Sequence, residues 1–128
     1  MTSELLTFKA STDGTSTAGD FPLTSDVIRG TTTSLRIPAG FKAKVWCKRI
    51  SGEPVEVIIN YTRDITAATP TWIELDRQVL ASRGELSLEK QRPTILRATT
   101  GKEAIKISWS QPTAAISHIG VEIEITDE

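Results

Sequence analysis

Apolar and polar residues alternate with a period of two along residues 41–48, where Phe41, Ala43, Val45 and Cys47 are separated by lysines and Trp46. This alternation is typical of a β-strand that turns one face to a core. Residues 55–61 are apolar on nearly both sides, which favours a central strand. The sequence Ser-Gly-Glu-Pro at 51–54 has turn chemistry, so residues 41–61 predict a β-hairpin around which the other strands are arranged.

Short apolar stretches separated by turn residues continue along most of the chain. We predict strands at 5–8, 34–37, 71–75, 85–89, 94–98, 104–110 and 119–126. Val79-Leu80 either extends the strand at 71–75 or begins another after a bend. No stretch of useful length has helical periodicity. About eight short strands at this spacing predict an all-β fold, an antiparallel, jelly-roll-like β-sandwich.

The first 34 residues differ from the rest in composition, because Ser, Thr, Gly and Asp dominate residues 11–34. The few apolar residues there, with Phe21 and Leu23 in one FPL sequence, are too sparse to form a core of their own. We therefore predict an extended N-terminal arm at 1–34 and a β-sandwich domain at 35–128. The arm is interpreted either as a loop or tail, or as a segment that orders against the domain or a neighbouring subunit.

Composition and charge exclude several classes of partner. The chain has 128 residues and a formal net charge of −1, so it is of single-domain size and has no basic footprint for nucleic acid. Its single cysteine, Cys47, excludes an intramolecular disulfide and alternates with Val45 as a buried thiol would. No apolar run is long enough to cross a bilayer, and the N-terminus lacks a secretory signal pattern, so we expect synthesis in the cytoplasm and no membrane partner.

The sequence contains no recognisable catalytic, cofactor or metal motif. Its single histidine, His118, precedes the last strand and has no nucleophile motif near it. Carboxylate pairs at Glu74 and Asp76 and at Glu122 and Glu124 are interpreted as solvated strand faces. The glycines near residue 14 lack the context of a phosphate-binding loop. We expect a protein that is not an enzyme and needs no cofactor.

The three tryptophans separate into two kinds. Trp109 alternates with Ile105 and Ile107 and is predicted to lie in the core. Trp46 lies on the lysine side of its strand, and Trp72 is in phase with Glu74 and Asp76. An indole on a polar face is typical of a protein interface or a sugar-stacking platform, and local packing on both faces of the sandwich is the alternative. The lysines at 42, 44 and 48 and the glutamates at 122 and 124 are candidate cross-strand partners.

The order of short motifs between residues 37 and 109 is IPAG, a strand with VW, VEVIINYTRD, TWIELD and KISW. This order resembles small β-sandwich accessory proteins (decoration, head or tail proteins) of tailed phages and related viruses, over a little more than half of the chain. The resemblance implies a non-enzymatic protein that assembles on or within a particle and is located in the virion.

We therefore expect a structural protein of a virus or virus-like particle, either a capsid decoration (cement) protein or a small head or tail component. Its partners would be further copies of itself, a capsid or tail protein, or both. The alternative is a carbohydrate-binding β-sandwich module that binds a glycan. The rings of Trp46, Trp72 and Tyr61 would stack on the sugar, and its hydrogen-bonding groups would be Asn60, Arg63, Asp64 or Glu74. The candidate interface or ligand contacts are Trp46, Trp72, Tyr61, Arg63, Asp64, Phe21 and Leu23.

Overall fold

The computed structural model describes residues 3–21, 34–80 and 93–127. Nine β-strands and no helix lie in these ranges, which confirms the predicted all-β class. The strands are β1 (Ser3–Ser11), β2 (Ala18–Asp20), β3 (Leu35–Arg36), β4 (Phe41–Gly52), β5 (Val55–Thr62), β6 (Ile73–Leu80), β7 (Thr94–Arg97), β8 (Ala104–Ser110) and β9 (Ser117–Asp127).

The strands form two antiparallel sheets that enclose one core. The first sheet has the order β1-β9-β4-β7, and the second has the order β2-β8-β5-β6, with β3 also paired to β8. Because β2 and β3 lie one after the other along β8, they act as two parts of one strand. Each sheet is then four strands wide, and the chain crosses repeatedly between the sheets as in a jelly roll. The predicted β-sandwich is confirmed.

The core consists of the inward-facing residues of both sheets. Val45 and Ile123 come from the first sheet, and Ile59 and Ile107 come from the second; none is more than 1% exposed. Cys47 is buried among them, as its alternation predicts. These side chains form one continuous cluster, and this shared burial holds the two sheets together.

The predicted hairpin at 41–61 is wrong, although both of its strands exist. The strand β4 lies between β9 and β7 in the first sheet, whereas β5 lies between β8 and β6 in the second. The turn at Glu53 and Pro54 therefore joins the two sheets. Alternation identifies the buried face of each strand but not the sheet to which the strand belongs. The strands β4 and β5 bury their faces against the same core from opposite sides, so the same pattern fits both arrangements.

The strand β6 contains a β-bulge that changes which side chains share a face. Asp76 pairs with Ile59 and Glu74 pairs with Asn60, so Leu75 has no pairing position of its own. As a result, Glu74 is exposed on the outside, whereas Asp76 accepts a 2.8 Å hydrogen bond from Thr94 Oγ1 of the other sheet. The predicted common face of Glu74 and Asp76 is wrong because a bulge reverses the alternation. Val79 and Leu80 extend this strand, one of the two predicted options.

Much of the predicted N-terminal arm belongs to the sandwich. The strand β1 pairs with β9 along its whole length, from Ser3 opposite Thr126 to Ser11 opposite His118. The strand β2 pairs with β8, so in the described residues the fold has no boundary at residue 34. The predicted strand at 5–8 lies within β1, whereas polar composition conceals β2, because ladder hydrogen bonds come from the backbone and need no apolar side chain. The predicted strand at 85–89 lies outside the described residues.

Candidate functional site

The two tryptophans that the sequence places on polar faces lie on opposite sides of the sandwich. Trp46 is half-buried on the outer face of the first sheet, opposite Glu122 of β9. Trp72 is half-buried just before β6, and Lys106 Nζ of the second sheet lies 4.5 Å from the centroid of its ring. This distance is typical of a cation–π interaction. Trp46 and Trp72 therefore do not form one binding platform.

Tyr61, Arg63 and Asp64 lie together at the end of β5. Tyr61 packs partly against the core, and the Arg63 guanidinium carbon is 5.8 Å from the centroid of its ring. Asp64 Oδ1 accepts hydrogen bonds from Thr62 Oγ1 and, at 3.0 Å, from the Thr71 backbone N–H. These bonds, led by the one from Thr62, lower the pKa of the Asp64 carboxyl below its ordinary value. Asp64 therefore closes the loop between β5 and β6.

Phe21, predicted as an interface contact, is a core residue. Its side chain is 0% exposed, and its ring centroid lies 6.2 Å from that of Trp109, with the two planes tilted by 44°. Trp109 is only 3% exposed, which confirms its predicted place in the core. Phe21 therefore contributes to stability and is unavailable to a partner. Leu23 lies outside the described residues.

A chain of polar contacts crosses the outer face of the second sheet. Asn60 Nδ2 donates to Ser108 Oγ at 3.1 Å, and Ser108 Oγ donates to Asp20 Oδ1 at 2.7 Å. Lys106 Nζ is 4.0 Å from Asp20 Oδ2. These contacts tie β5, β8 and β2 together, and Lys106 joins them to Trp72.

Arg77 of β6 is shared between two carboxylates on the same outer face. Its Nη1 donates to Glu56 Oε1, and its Nη2 donates to Glu74 Oε1 at 2.6 Å. The hydrogen bond from Arg77 lowers the pKa of the Glu74 carboxyl. The three charged groups together carry a net charge of −1.

Several apolar side chains of the outermost strand of the second sheet are exposed. Ile73 is 47% exposed, Leu75 is 37% exposed and Val79 is 64% exposed. Among the described strands β6 pairs with β5 on one side only, so within residues 3–21, 34–80 and 93–127 it is an edge strand. Ile73 pairs with the core-facing Tyr61 and Val79 pairs with the outward-facing Glu56, so these side chains lie on opposite faces along one edge of the sheet. We call this edge the β6 edge and define it by Ile73, Leu75 and Val79. The sequence predicted a strand here but not its place in the sheet. That place decides whether a second strand pairs with its other side, so the sequence could not predict this exposed edge.

The reactive side chains of the described residues form no catalytic constellation. Burial raises the pKa of the Cys47 thiol to about 12, which disfavours the nucleophilic thiolate. His118 is exposed at the start of β9. Nowhere in residues 3–21, 34–80 and 93–127 do three His, Cys, Asp or Glu side chains come close enough to hold a metal ion. The same ranges contain no helix that could span a membrane.

Comparison with known proteins finds weak similarities to several solved structures, of which two are described. No family model and no curated protein matches the chain. The chain is similar to a crystal structure of the xylanase 10B CBM22-1–GH10 modules from Clostridium thermocellum in complex with xylohexaose, at 12% identity and a TM-score of 0.44. This match covers 98% of the chain and 26% of the xylanase chain, so the chain spans about a quarter of that length. A Bacillus endospore appendage, described as a disulfide-linked pilus, is similar at 12% identity and a TM-score of 0.38, with coverage of 99% and 88%.

Proposed function

We propose that the protein is a non-enzymatic structural subunit that acts by binding other subunits of an assembly, and that the β6 edge is its main contact. The observation that carries this proposal is the exposure of Ile73, Leu75 and Val79 on one edge strand. Burying such side chains stabilises a complex by an amount on the order of 1 kcal/mol each. An edge strand also offers unpaired backbone groups to a second chain.

The charges of β6 do little to protect this edge. Natural edge strands are often protected by charged residues, proline or a covering segment. Here Arg77 and Glu74 bond to each other, and Arg77 also bonds to Glu56, so these charges are directed along the sheet face. Ile73, Leu75 and Val79 add exposed apolar surface to the same strand, which favours a partner of similar character.

The assembly that we propose is a virus or virus-like particle, with the protein as a capsid decoration (cement) protein or a small head or tail component. Support comes from the motif resemblance and from the jelly-roll strand order, which is common in viral capsid proteins. Both are arguments by analogy with a fold and a family. In this proposal the protein is made in a host cytoplasm and becomes part of the virion, in contact with its own copies or with a capsid or tail protein.

The carbohydrate-binding alternative makes a different use of the same rings. Because Trp46 and Trp72 lie on opposite sheets, a glycan can stack on only one of them at a time, and at Trp72 it competes with Lys106. This alternative predicts a change in tryptophan fluorescence with a sugar from a glycan array. Our proposal predicts no such change.

The proposal is tested by the native mass in solution, measured by light scattering over a concentration series. We expect the full chain to associate as its concentration rises. The substitution Val79→Lys, at a residue that is 64% exposed, should prevent association without unfolding the protein. Leu5→Lys is the matched control, because Leu5 is 58% exposed on the edge strand β1 of the other sheet. A chain that stays monomeric at every concentration, or equal effects of both substitutions, would contradict self-association through β6.

A further inference from the structure

A groove of about 370 Å³ opens on the outer face of the second sheet, at the end where β4 turns into β5. Val79 of β6, Glu56 of β5 and Ser110 of β8 lie in one row across its floor, because Glu56 pairs with both of the others. Pro54 and Pro112 form further apolar walls, and Gln111 completes the lining. The groove is thus mostly apolar, and its polar lining residues are Glu56, Ser110 and Gln111.

Gln111, one of the residues that line this groove, contains a buried hydrogen-bond acceptor without a partner in the described part of the chain. The residue is 5% exposed, and its Nε2 donates to the Pro54 backbone oxygen at 3.2 Å. Its Oε1 is buried and has no hydrogen-bond partner in the described part of the chain. Exchanging the amide atoms would set Oε1 against the Pro54 oxygen, acceptor to acceptor, so Pro54 fixes the orientation. A buried acceptor without a partner costs about 1–3 kcal/mol. This oxygen is enclosed, whereas the Glu56 side chain is 29% exposed and is the acceptor that a ligand in the groove reaches.

The charge of the groove has the complementary sign for a cation. Glu56 Oε1 accepts from Arg77, which also pairs with Glu74, so one guanidinium serves two carboxylates. A carboxylate accepts up to about four hydrogen bonds, and Glu56 therefore keeps capacity beyond its bond with Arg77. The groove combines acceptors with apolar walls, and a basic side chain combines donors with an apolar stem.

We propose that this groove binds the side chain of an arginine or lysine from a protein partner. The aliphatic stem lies against Val79 and the two prolines, and the cationic end donates to the Glu56 carboxylate. A charge-assisted hydrogen bond of this kind is about twice as strong as a neutral one. The groove defines the chemistry of the bound side chain, whereas the existence of a protein partner rests on the proposed function.

The experiment is a titration of the isotope-labelled full chain with N-acetyl-arginine methylamide, followed by NMR at low salt. We expect saturable shifts of the Val55 and Glu56 backbone amides and of the Gln111 side-chain amide. N-acetyl-norleucine methylamide, which has an apolar stem and no cation, should bind about tenfold more weakly, the equivalent of 1.4 kcal/mol. Added salt should weaken only the binding of the arginine probe.

A pair of variants tests the role of the carboxylate. Glu56→Gln should weaken binding of the arginine probe by about tenfold, the equivalent of 1.4 kcal/mol. Glu122→Gln on the outer face of the first sheet should leave it unchanged. Equal binding of the two probes by the native chain would overturn the proposal, whether or not Glu56→Gln folds, and so would the absence of shifts.

The two proposals can fail separately. A chain that associates in light scattering but does not bind the arginine probe would overturn the groove proposal alone. A monomeric chain that binds this probe, and binds it more weakly in the Glu56→Gln variant, would support the groove proposal and count against self-association.

Discussion

Phe21 and Leu35 are two positions apart along the same strand, although they are separated in sequence by residues 22–34. The Phe21 backbone N–H donates to the Ile107 oxygen at 2.8 Å, and Leu35 pairs with Ile105. Both side chains are 0% exposed in the core. Ser34 consequently occupies the position next to Phe21 in the strand that pairs with β8. Residues 22–33 are therefore an insertion within one strand of the jelly roll.

Removing residues 22–33, so that Phe21 is joined to Ser34, should leave the fold intact. The deletion shortens a connection whose two ends already lie together, and connection length has only a weak effect on stability. We expect the free energy of unfolding to change by about 1 kcal/mol or less. Circular dichroism and denaturant unfolding measure this.

Deletion of residues 3–11 is the matched control. It removes all of β1, which pairs with β9 over nine residue positions, and should abolish cooperative unfolding. A second variant that joins Phe21 to Ser34 through two glycines excludes strain at the junction. If both 22–33 deletions unfold the protein while the 3–11 deletion does not, the single-strand interpretation is wrong.

The sequence was informative about strands and uninformative about their neighbours. Alternation correctly predicted β4, β5, β8 and β9, the burial of Cys47 and Trp109, and the pair of Lys44 with Glu124, whose Nζ and Oε1 are 4.0 Å apart. Alternation is a local property, however, and pairing is not. It therefore could not show that β4 and β5 belong to different sheets, or that an insertion divides one strand.

Phe21→Ala should lower stability and leave association unchanged, because Phe21 packs on Trp109 and reaches no surface. A large core residue replaced by alanine costs about 3–5 kcal/mol. Denaturant unfolding checks this, with Leu5→Ala as a control, since a change at an exposed residue costs about 0.5 kcal/mol or less. A Phe21→Ala variant of native stability with altered native mass would restore the predicted interface role.

Glu103 should make the fold sensitive to acid. Burial alone raises the pKa of this carboxyl, but hydrogen bonds from the backbone and hydroxyls of Thr99 and Thr100 outweigh burial and lower the pKa to about 2. Because the folded pKa is below the ordinary value of 4.5, the stabilisation is complete above pH 4.5 and is lost as the pH falls toward 2. Unfolding free energies measured between pH 7 and pH 2 test this.

Glu103→Gln should cost roughly 1.5–3 kcal/mol at neutral pH and should flatten the acid dependence. The carboxyls of Asp13, Asp64 and Glu74 also have lowered pKa values, so the informative quantity is the difference between the native chain and the variant. Glu124→Gln, a change on the outer face of the first sheet, is the matched control. Parallel pH curves for the native chain and Glu103→Gln would contradict the assigned role.

The candidate surface was less predictable than the fold. Tyr61, Arg63 and Asp64 do lie together, but Trp46 and Trp72 are separated by the thickness of the sandwich. The bulge at Leu75 reverses the phase that grouped Trp72 with Asp76. The groove at Gln111 combines residues from β5, β6 and β8, and no sequence spacing indicates that these strands are neighbours.

The most direct test of the assembly proposal is hydrogen exchange of the β6 backbone amides at low and high protein concentration. We predict that, apart from Asp76 and Arg77, the amides of Ile73–Leu80 that do not bond to β5 exchange rapidly in dilute solution and become protected as the native mass rises. The amides of β1, the edge strand of the other sheet, should not change. Protection of β6 that stays constant while the mass rises would contradict the proposed contact.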